Sequence, residues 1–119
     1  MRTFRDLLIW QKAMILVTET YLLTNSFPKE ELFGLTSQIR RCSISIPSNI
    51  AEGFGRESNK EFSRFLNIAI SSLFEFQTQI EIAKNIKHLT NEQFKILFEL
   101  SRELEAMMVS FNKKVKTSS

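Results

Sequence analysis

Residues 58–85, SNKEFSRFLNIAISSLFEFQTQIEIAKN, decide the fold. Phe62, Leu66, Ala69, Leu73, Phe76, Ile80 and Ala83 recur in steps of four and three, the period that lines one face of an α-helix. Phe65 and Phe74 widen this stripe beyond a narrow coiled-coil seam. Ser58 and Glu61 have the spacing of a capping box, in which the serine caps the third amide and the glutamate reaches back to the serine N–H. An amphipathic helix of this length cannot cover its own stripe, so partner helices belong on either side of it.

Downstream, Thr90 and Gln93 form a second capping box, and Leu89 with Phe94 reads as a hydrophobic staple. The stripe Phe94, Leu97, Leu104, Met108, Phe111 and Val115 follows, with Ser101 its polar member, and closes among Lys113, Lys114 and Lys116, which suit a helix C-terminus. Upstream, Leu32, Leu35, Ile39, Cys42, Ile46 and Ile50 form the stripe of another helix. It runs to Gly53-Phe54-Gly55, where either glycine can supply a left-handed stop. Pro47 lies inside this pattern and predicts a kink, since the apolar stepping continues across it.

The first helix reads Leu7, Trp10, Met14, Val17 and Tyr21 as its core face, with Asp6 as N-cap. Asn25-Ser26-Phe27-Pro28 breaks it, and the proline with Glu30 and Glu31 suits the next helical start. The reading is therefore four helices over about 7–25, 29–54, 59–87 and 91–115, within a single domain 1–119. Short connections make sequential helices antiparallel, so the expected fold is an all-α, up-down-up-down four-helix bundle with its second helix kinked near Pro47.

Composition narrows the function classes. A chain of 119 residues, 43% hydrophobic and 24% charged, buries one real core. Three glycines and two prolines are too few for a sandwich or barrel. One cysteine and one histidine exclude a disulfide framework and a structural zinc site. Glu52, Glu61, Glu75 and Glu81 lack the Glu-x-x-His steps of di-iron bundles, so neither metal nor cofactor is expected. His88 has no acid or nucleophile in sequence reach and reads as a partner of terminal carbonyls, and Cys42 reads as inert packing, so no enzyme is expected. No apolar run approaches the roughly 18 residues of a membrane span and no secretory signal is visible, so with the unpaired thiol the expected compartment is cytoplasmic, with no membrane partner.

Two sets of residues remain. The first helix carries Leu8, Ile15 and Leu22, besides Ile9, Leu16 and Leu23, an apolar arc wider than one bundle core needs. On the second helix Gln38, Arg41, Ser45, Asn49, Glu52 and Arg56 fall within about 80° of one another, which fits a solvated face, a hydrogen-bonded seam between subunits or a ligand site. Glu75 is expected to pair with Arg41. The subunit-interface candidates are thus Leu8, Ile15, Leu22, Gln38, Arg41, Asn49, Glu52 and Glu75. The net charge of +3 permits contact with an anionic polymer. Candidate phosphate contacts are Arg2, Arg5, Arg40, Arg56, Lys60 and Arg64 near helix ends and outer faces, with Lys113, Lys114 and Lys116 as a second patch.

The central motif is Phe27-Pro28, Glu31-Leu32-Phe33-Gly34-Leu35, Gln38-Ile39-Arg40-Arg41 and Ser45-Ile46-Pro47-Ser48-Asn49-Ile50-Ala51-Glu52-Gly53. It continues through Arg56, Ser58, Phe62, Phe65-Leu66, Ile68-Ala69, Ser72-Leu73 and Glu75, and reaches back to Trp10. This resembles the four-helix bundle proteins encoded in intervening sequences of bacterial 23S rRNA genes, with Phe33 and Cys42 departing from the tyrosine and small residue usual there. The resemblance implies an up-and-down bundle assembled as a homopentameric ring. A related group serves as accessory proteins of diversity-generating retroelements and binds nucleic acid and a reverse transcriptase. It brings no catalytic residues. The expected function is a non-enzymatic oligomeric module contacting RNA or DNA through phosphates, where +3 per chain becomes about +15 in a pentamer. The alternative is a homo-oligomeric scaffold that binds another protein and no nucleic acid.

Overall fold

The computed structural model describes residues 2–118. Four helices, α1 (Leu8–Thr24), α2 (Leu35–Phe54), α3 (Asn59–Asn85) and α4 (Asn91–Thr117), form an elongated bundle of 46 × 23 × 20 Å. No strand occurs among the described residues. Each helix packs on the next and α1 closes against α4, while the diagonal pairs do not approach at the backbone, which is the antiparallel up-down-up-down arrangement.

The core stripes of α3 and α4 follow the sequence pattern closely. Leu66, Ala69, Leu73, Phe76, Ile80 and Ala83 meet Leu97, Leu104 and Met108 with essentially no exposure, beside Ile39, Ile46 and Ile50 of α2. Most buried polar groups are hydrogen-bonded, Thr36 Oγ1 and Gln79 Oε1 being the exceptions among the described residues. Ser63 Oγ donates to Asn112 Oδ1 at 2.7 Å, Asn112 Nδ2 donates to Asn67 Oδ1 at 2.9 Å, and Ser101 Oγ donates to the Phe98 carbonyl at 2.7 Å.

α1 differs from its expected orientation. Its buried face is Ile9, Ala13, Leu16, Thr20 and Thr24, with Leu7 just before it, whereas Met14 and Tyr21 are exposed and Trp10 and Val17 only half-buried. Apolar residues surround this helix almost evenly, so periodicity alone does not orient it. The small Ala13 and two threonines let it sit close, each threonine hydroxyl donating to the carbonyl four residues earlier, at 2.6 and 2.7 Å. Asp6 is not the N-cap of α1. It completes a capping box with Thr3 on a short 3₁₀ turn, Phe4–Asp6, and Leu7 precedes the helix.

α2 also begins later than expected. Lys29–Glu31 is a separate 3₁₀ turn, Leu32 is exposed, and the helix starts at Leu35 and runs through Pro47 without a break. The ring removes the N–H that would donate to the Ser43 carbonyl. Neither Gly53 nor Gly55 adopts a left-handed conformation. Gly53 instead allows a close approach: a Cβ there would lie 2.7 Å from Phe65 Cβ and 2.9 Å from Phe62 Cδ1 on α3. The one left-handed residue among those described is Lys87, at φ 67°. It ends α3 in a Schellman motif, with His88 N donating to the Ala83 carbonyl and Lys87 N to the Lys84 carbonyl.

The two loops at this end of the bundle are tied together. Glu31 Oε1 accepts the Leu35 amide of α2 at 3.3 Å, while Glu31 Oε2 meets His88 Nε2 at 2.9 Å from the α3–α4 connection. His88, rather than binding terminal carbonyls through its ring, also packs against Phe27 with centroids 5.5 Å apart. At α3, Ser58 caps the Glu61 amide, but the Glu61 carboxylate turns to Arg64 and leaves the box half made.

Two stability tests follow from these contacts. Gly53→Ala should cost about 1–3 kcal/mol in denaturant unfolding, because the methyl group must displace α3 backbone and ring atoms. The hydrogen bond from His88, then that from the Leu35 amide, holds the Glu31 carboxyl below its ordinary value. With the folded value below the unfolded one, this contribution is full above the ordinary carboxylate range and is lost as pH falls through the folded value. Glu31→Gln should therefore unfold at lower urea than wild type at neutral pH, and the gap should close in acid.

Candidate nucleic-acid interface

The antiparallel topology brings three chain segments to one end of the bundle: the start of α1, the α2–α3 connection and the end of α4. Side-chain contacts hold them there. Phe62 and Phe111 rings stand 5.8 Å apart, and Asp6, Leu7 and Leu8 share a shallow cavity with Phe111 and Lys114. Phe4 and Trp10 line another with Pro47 and Ala51. Of the nine candidate cations, this topology gathers Arg2, Arg5, Arg56, Lys60, Arg64, Lys113, Lys114 and Lys116 at this end. Asp6, Glu52, Glu57 and Glu61 are the acids there, so eight cations face four anions. The rest of the chain, with eight cations and nine acids, carries one net negative charge.

Several of these cations are held in place. Arg64 makes a forked pair with Glu61 at 3.2 and 3.3 Å, and Arg56 lies 3.9 Å from Glu52. Both guanidinium groups also lie over the Phe65 ring, at 4.7 Å for Arg56 and 4.6 Å for Arg64, and Arg5 lies over Phe4. Arg64 lowers the Glu61 pKa first through this hydrogen bond, which keeps the pair charged. Arg40 does not join the group. It sits at the start of α2, at the opposite end, where Nε donates to Thr24 Oγ1 at 2.9 Å and the guanidinium covers Tyr21.

The polar stripe of α2 lines one wall of a groove whose other wall is α3. Phe33, Gln38, Arg41, Cys42, Ser45, Ser72, Glu75 and Gln79 surround about 540 Å³. Ser45 and Ser72 hydroxyls share a hydrogen bond of 2.8 Å, Asn49 Nδ2 donates to the Ser45 carbonyl at 2.8 Å, and Cys42 Sγ donates to the Ser72 carbonyl at 3.0 Å. Arg41 and Glu75 both line the groove, but the expected ion pair does not form and Glu75 is exposed. The two charges remain solvated, which costs less than burying the pair.

Sequence reading missed the long-range polar contacts, Ser63–Asn112–Asn67 and Gln77 to Ser101 and Glu105. Their partners lie on different helices and share no local spacing. The one signal was a polar residue at a core position, as at Ser101. No group of three or more His, Cys, Asp or Glu side chains able to hold a metal occurs among the described residues, and no described helix is long and apolar enough to cross a membrane.

A family model described as 23S rRNA-intervening sequence protein matches residues 5–110. A solved structure from Bacteroides thetaiotaomicron, a protein of unknown function from the S23 ribosomal protein family, superposes with a TM-score of 0.83 at 24% identity. The match covers 89% of this chain and 99% of that one, and at this identity it speaks for the fold. None of the curated proteins matches the chain.

Burial, and then the nearby Glu75 charge, push the Cys42 thiol up to about 11. Cys42 should accordingly resist alkylation in the native protein at neutral pH, and react at the rate of an ordinary cysteine once the chain is unfolded in denaturant. Thiol titration with and without denaturant checks this.

Proposed function

The chain belongs to the 23S rRNA-intervening sequence protein family, and from that premise we propose that it is a non-enzymatic, oligomeric helical-bundle module that contacts RNA or DNA through backbone phosphates. The observation that carries this reading is the basic end. Eight cations from three segments converge there against four acids, while the remainder of the surface is close to neutral. A one-sided surplus of this kind attracts a polyanion regardless of base sequence, and repetition in an oligomer multiplies a weak single-chain attraction. Cation–π packing on Phe65 and Phe4 holds the guanidinium groups without using their N–H donors, and those that Arg64 and Arg56 do not give to Glu61 and Glu52 are left for phosphate oxygens.

The second reading is a scaffold that binds another protein and no nucleic acid. It is favoured by the exposed apolar row on α1 and by the pairing of Arg56 and Arg64 with acids of their own chain. Neither the family model's description nor that of the structural neighbour carries an enzymatic activity.

Salt separates the readings. Binding to a generic single-stranded RNA should weaken steeply as salt rises, with log affinity falling linearly in log salt. Arg56→Ala combined with Lys60→Ala should weaken binding and flatten that slope by about one to two, while the oligomer mass stays unchanged. No binding at low salt by an intact oligomer would overturn the phosphate reading in favour of the scaffold.

A further inference from the structure

At the end of the bundle away from the basic cluster, the close of α1, the turn Lys29–Glu31 and the first turns of α2 enclose a cavity of about 180 Å³. Thr24, Asn25, Lys29, Thr36 and Arg40 line it, with Phe27 and Leu32 on its apolar side. Its acceptors are already used. Arg40 Nε donates to Thr24 Oγ1 at 2.9 Å and Nη2 to Asn25 Oδ1 at 3.2 Å, while the Thr24 hydroxyl gives its own proton to the Thr20 carbonyl at 2.7 Å.

The donors are not used. Two bonds leave three of the five guanidinium N–H groups of Arg40 over, and stacking on Tyr21 at 4.6 Å fixes their direction. Lys29 has no ion-pair partner among the described residues. Thr36 is only 4% exposed, and its Oγ1 is the one buried hydroxyl among the described residues that lacks a hydrogen-bond partner. A buried hydroxyl left unpaired costs stability that a bound acceptor would recover. The nearby acids do not neutralise the site. Glu31 is turned to the Leu35 amide and His88, Glu30 is exposed, and neither lines the cavity.

We propose that this cavity binds a single phosphate group, held by the charges of Lys29 and Arg40 and by the Thr36 hydroxyl. The proposal does not depend on the nucleic-acid reading above, whose cations lie at the other end. Two cations and a surplus of donors select an anion. A carboxylate offers one charge and two oxygens, whereas two cations and a separate hydroxyl match a dianion with more oxygens to share. Size agrees: four oxygens around one centre displace about four water volumes, or roughly 120 Å³, which the cavity holds and which leaves no room for a nucleoside. Inorganic phosphate and the terminal phosphate of a nucleic-acid strand present this same chemistry. An internal diester carries one charge and is flanked by sugars, so it fits neither the charge nor the space.

The test is thermal unfolding of the full chain in inorganic phosphate against chloride at matched ionic strength. Phosphate should raise the wild-type midpoint in a saturable way, and the half-saturating concentration should rise at least about tenfold in Lys29→Ala and in Thr36→Val. Thr36→Ser keeps the hydroxyl and should respond like wild type. Lys29 is exposed, so Lys29→Ala decides alone should Thr36→Val fail to fold. Arg56→Ala with Lys60→Ala should leave the response unchanged, since those residues belong to the other end. No gain over chloride overturns the proposal. So does a gain that Lys29→Ala or Thr36→Val retains in full, which is the general salting-out effect of phosphate on any folded chain. A gain lost in Arg56→Ala with Lys60→Ala places the anion at the basic end and overturns it as well. The source is read with one short oligonucleotide carrying or lacking a 5′-phosphate: a preference for the phosphorylated form that Lys29→Ala abolishes supports a strand end in the site, and a response to inorganic phosphate without that preference supports the free anion.

Discussion

Everything at the basic end depends on how closely α2 approaches α3. Gly53 lies where a single added carbon would collide with Phe62 and Phe65, so the end of α2 and the start of α3 sit nearly backbone to ring. This contact fixes Phe65, and Phe65 in turn carries Arg56 on one side of the α2–α3 turn and Arg64 on the other. Phe62 continues the chain of rings to Phe54 and to Phe111 of α4, with centroids 6.1 and 5.8 Å away. The aromatic cluster thus joins the hydrophobic core to the charged end. Without it the same cations would sit on an independently moving turn.

At the opposite end the chain uses a different device. Glu31 spans two connections through its two carboxylate oxygens, capping α2 with one and meeting His88 with the other. Arg40 ties α2 back to the end of α1 through Thr24 and Asn25. Glu31, His88 and Arg40 are committed to these internal contacts and hold the fold, while Lys29, Glu30 and Lys87 beside them face solvent.

Much of this was legible in the sequence, for specific reasons. α3 and α4 each bury one continuous stripe, so a single period identified both helices and most of their core. Their caps, Ser58 and Thr90, were equally local signals. α1 was misoriented because its apolar residues surround the axis, and only the placement of small residues, Ala13 and Thr20, reveals which side can approach a neighbour. Gly53 was read as a helix stop because glycine near a helix end usually is one; its role in packing depends on α3, which no local pattern contains. The nine candidate cations could be named individually, but that eight share one end follows only from antiparallel topology, which converts separate stretches into one surface.

The oligomer proposed above and the basic end constrain each other. A rotation axis running roughly along the bundles would keep every copy's basic end on the same side of an assembly, whereas a two-fold axis perpendicular to them would place those ends on opposite sides, where their surpluses would not combine. Four excess cations at one end matter little alone, so the phosphate reading asks for aligned ends, across which a polyanion would touch several copies at once. The rest of the chain, sides and opposite end together, carries one net negative charge, so such packing would meet little repulsion away from the basic ends, where solvent and counterions screen the surplus until a polyanion takes the counterions' place.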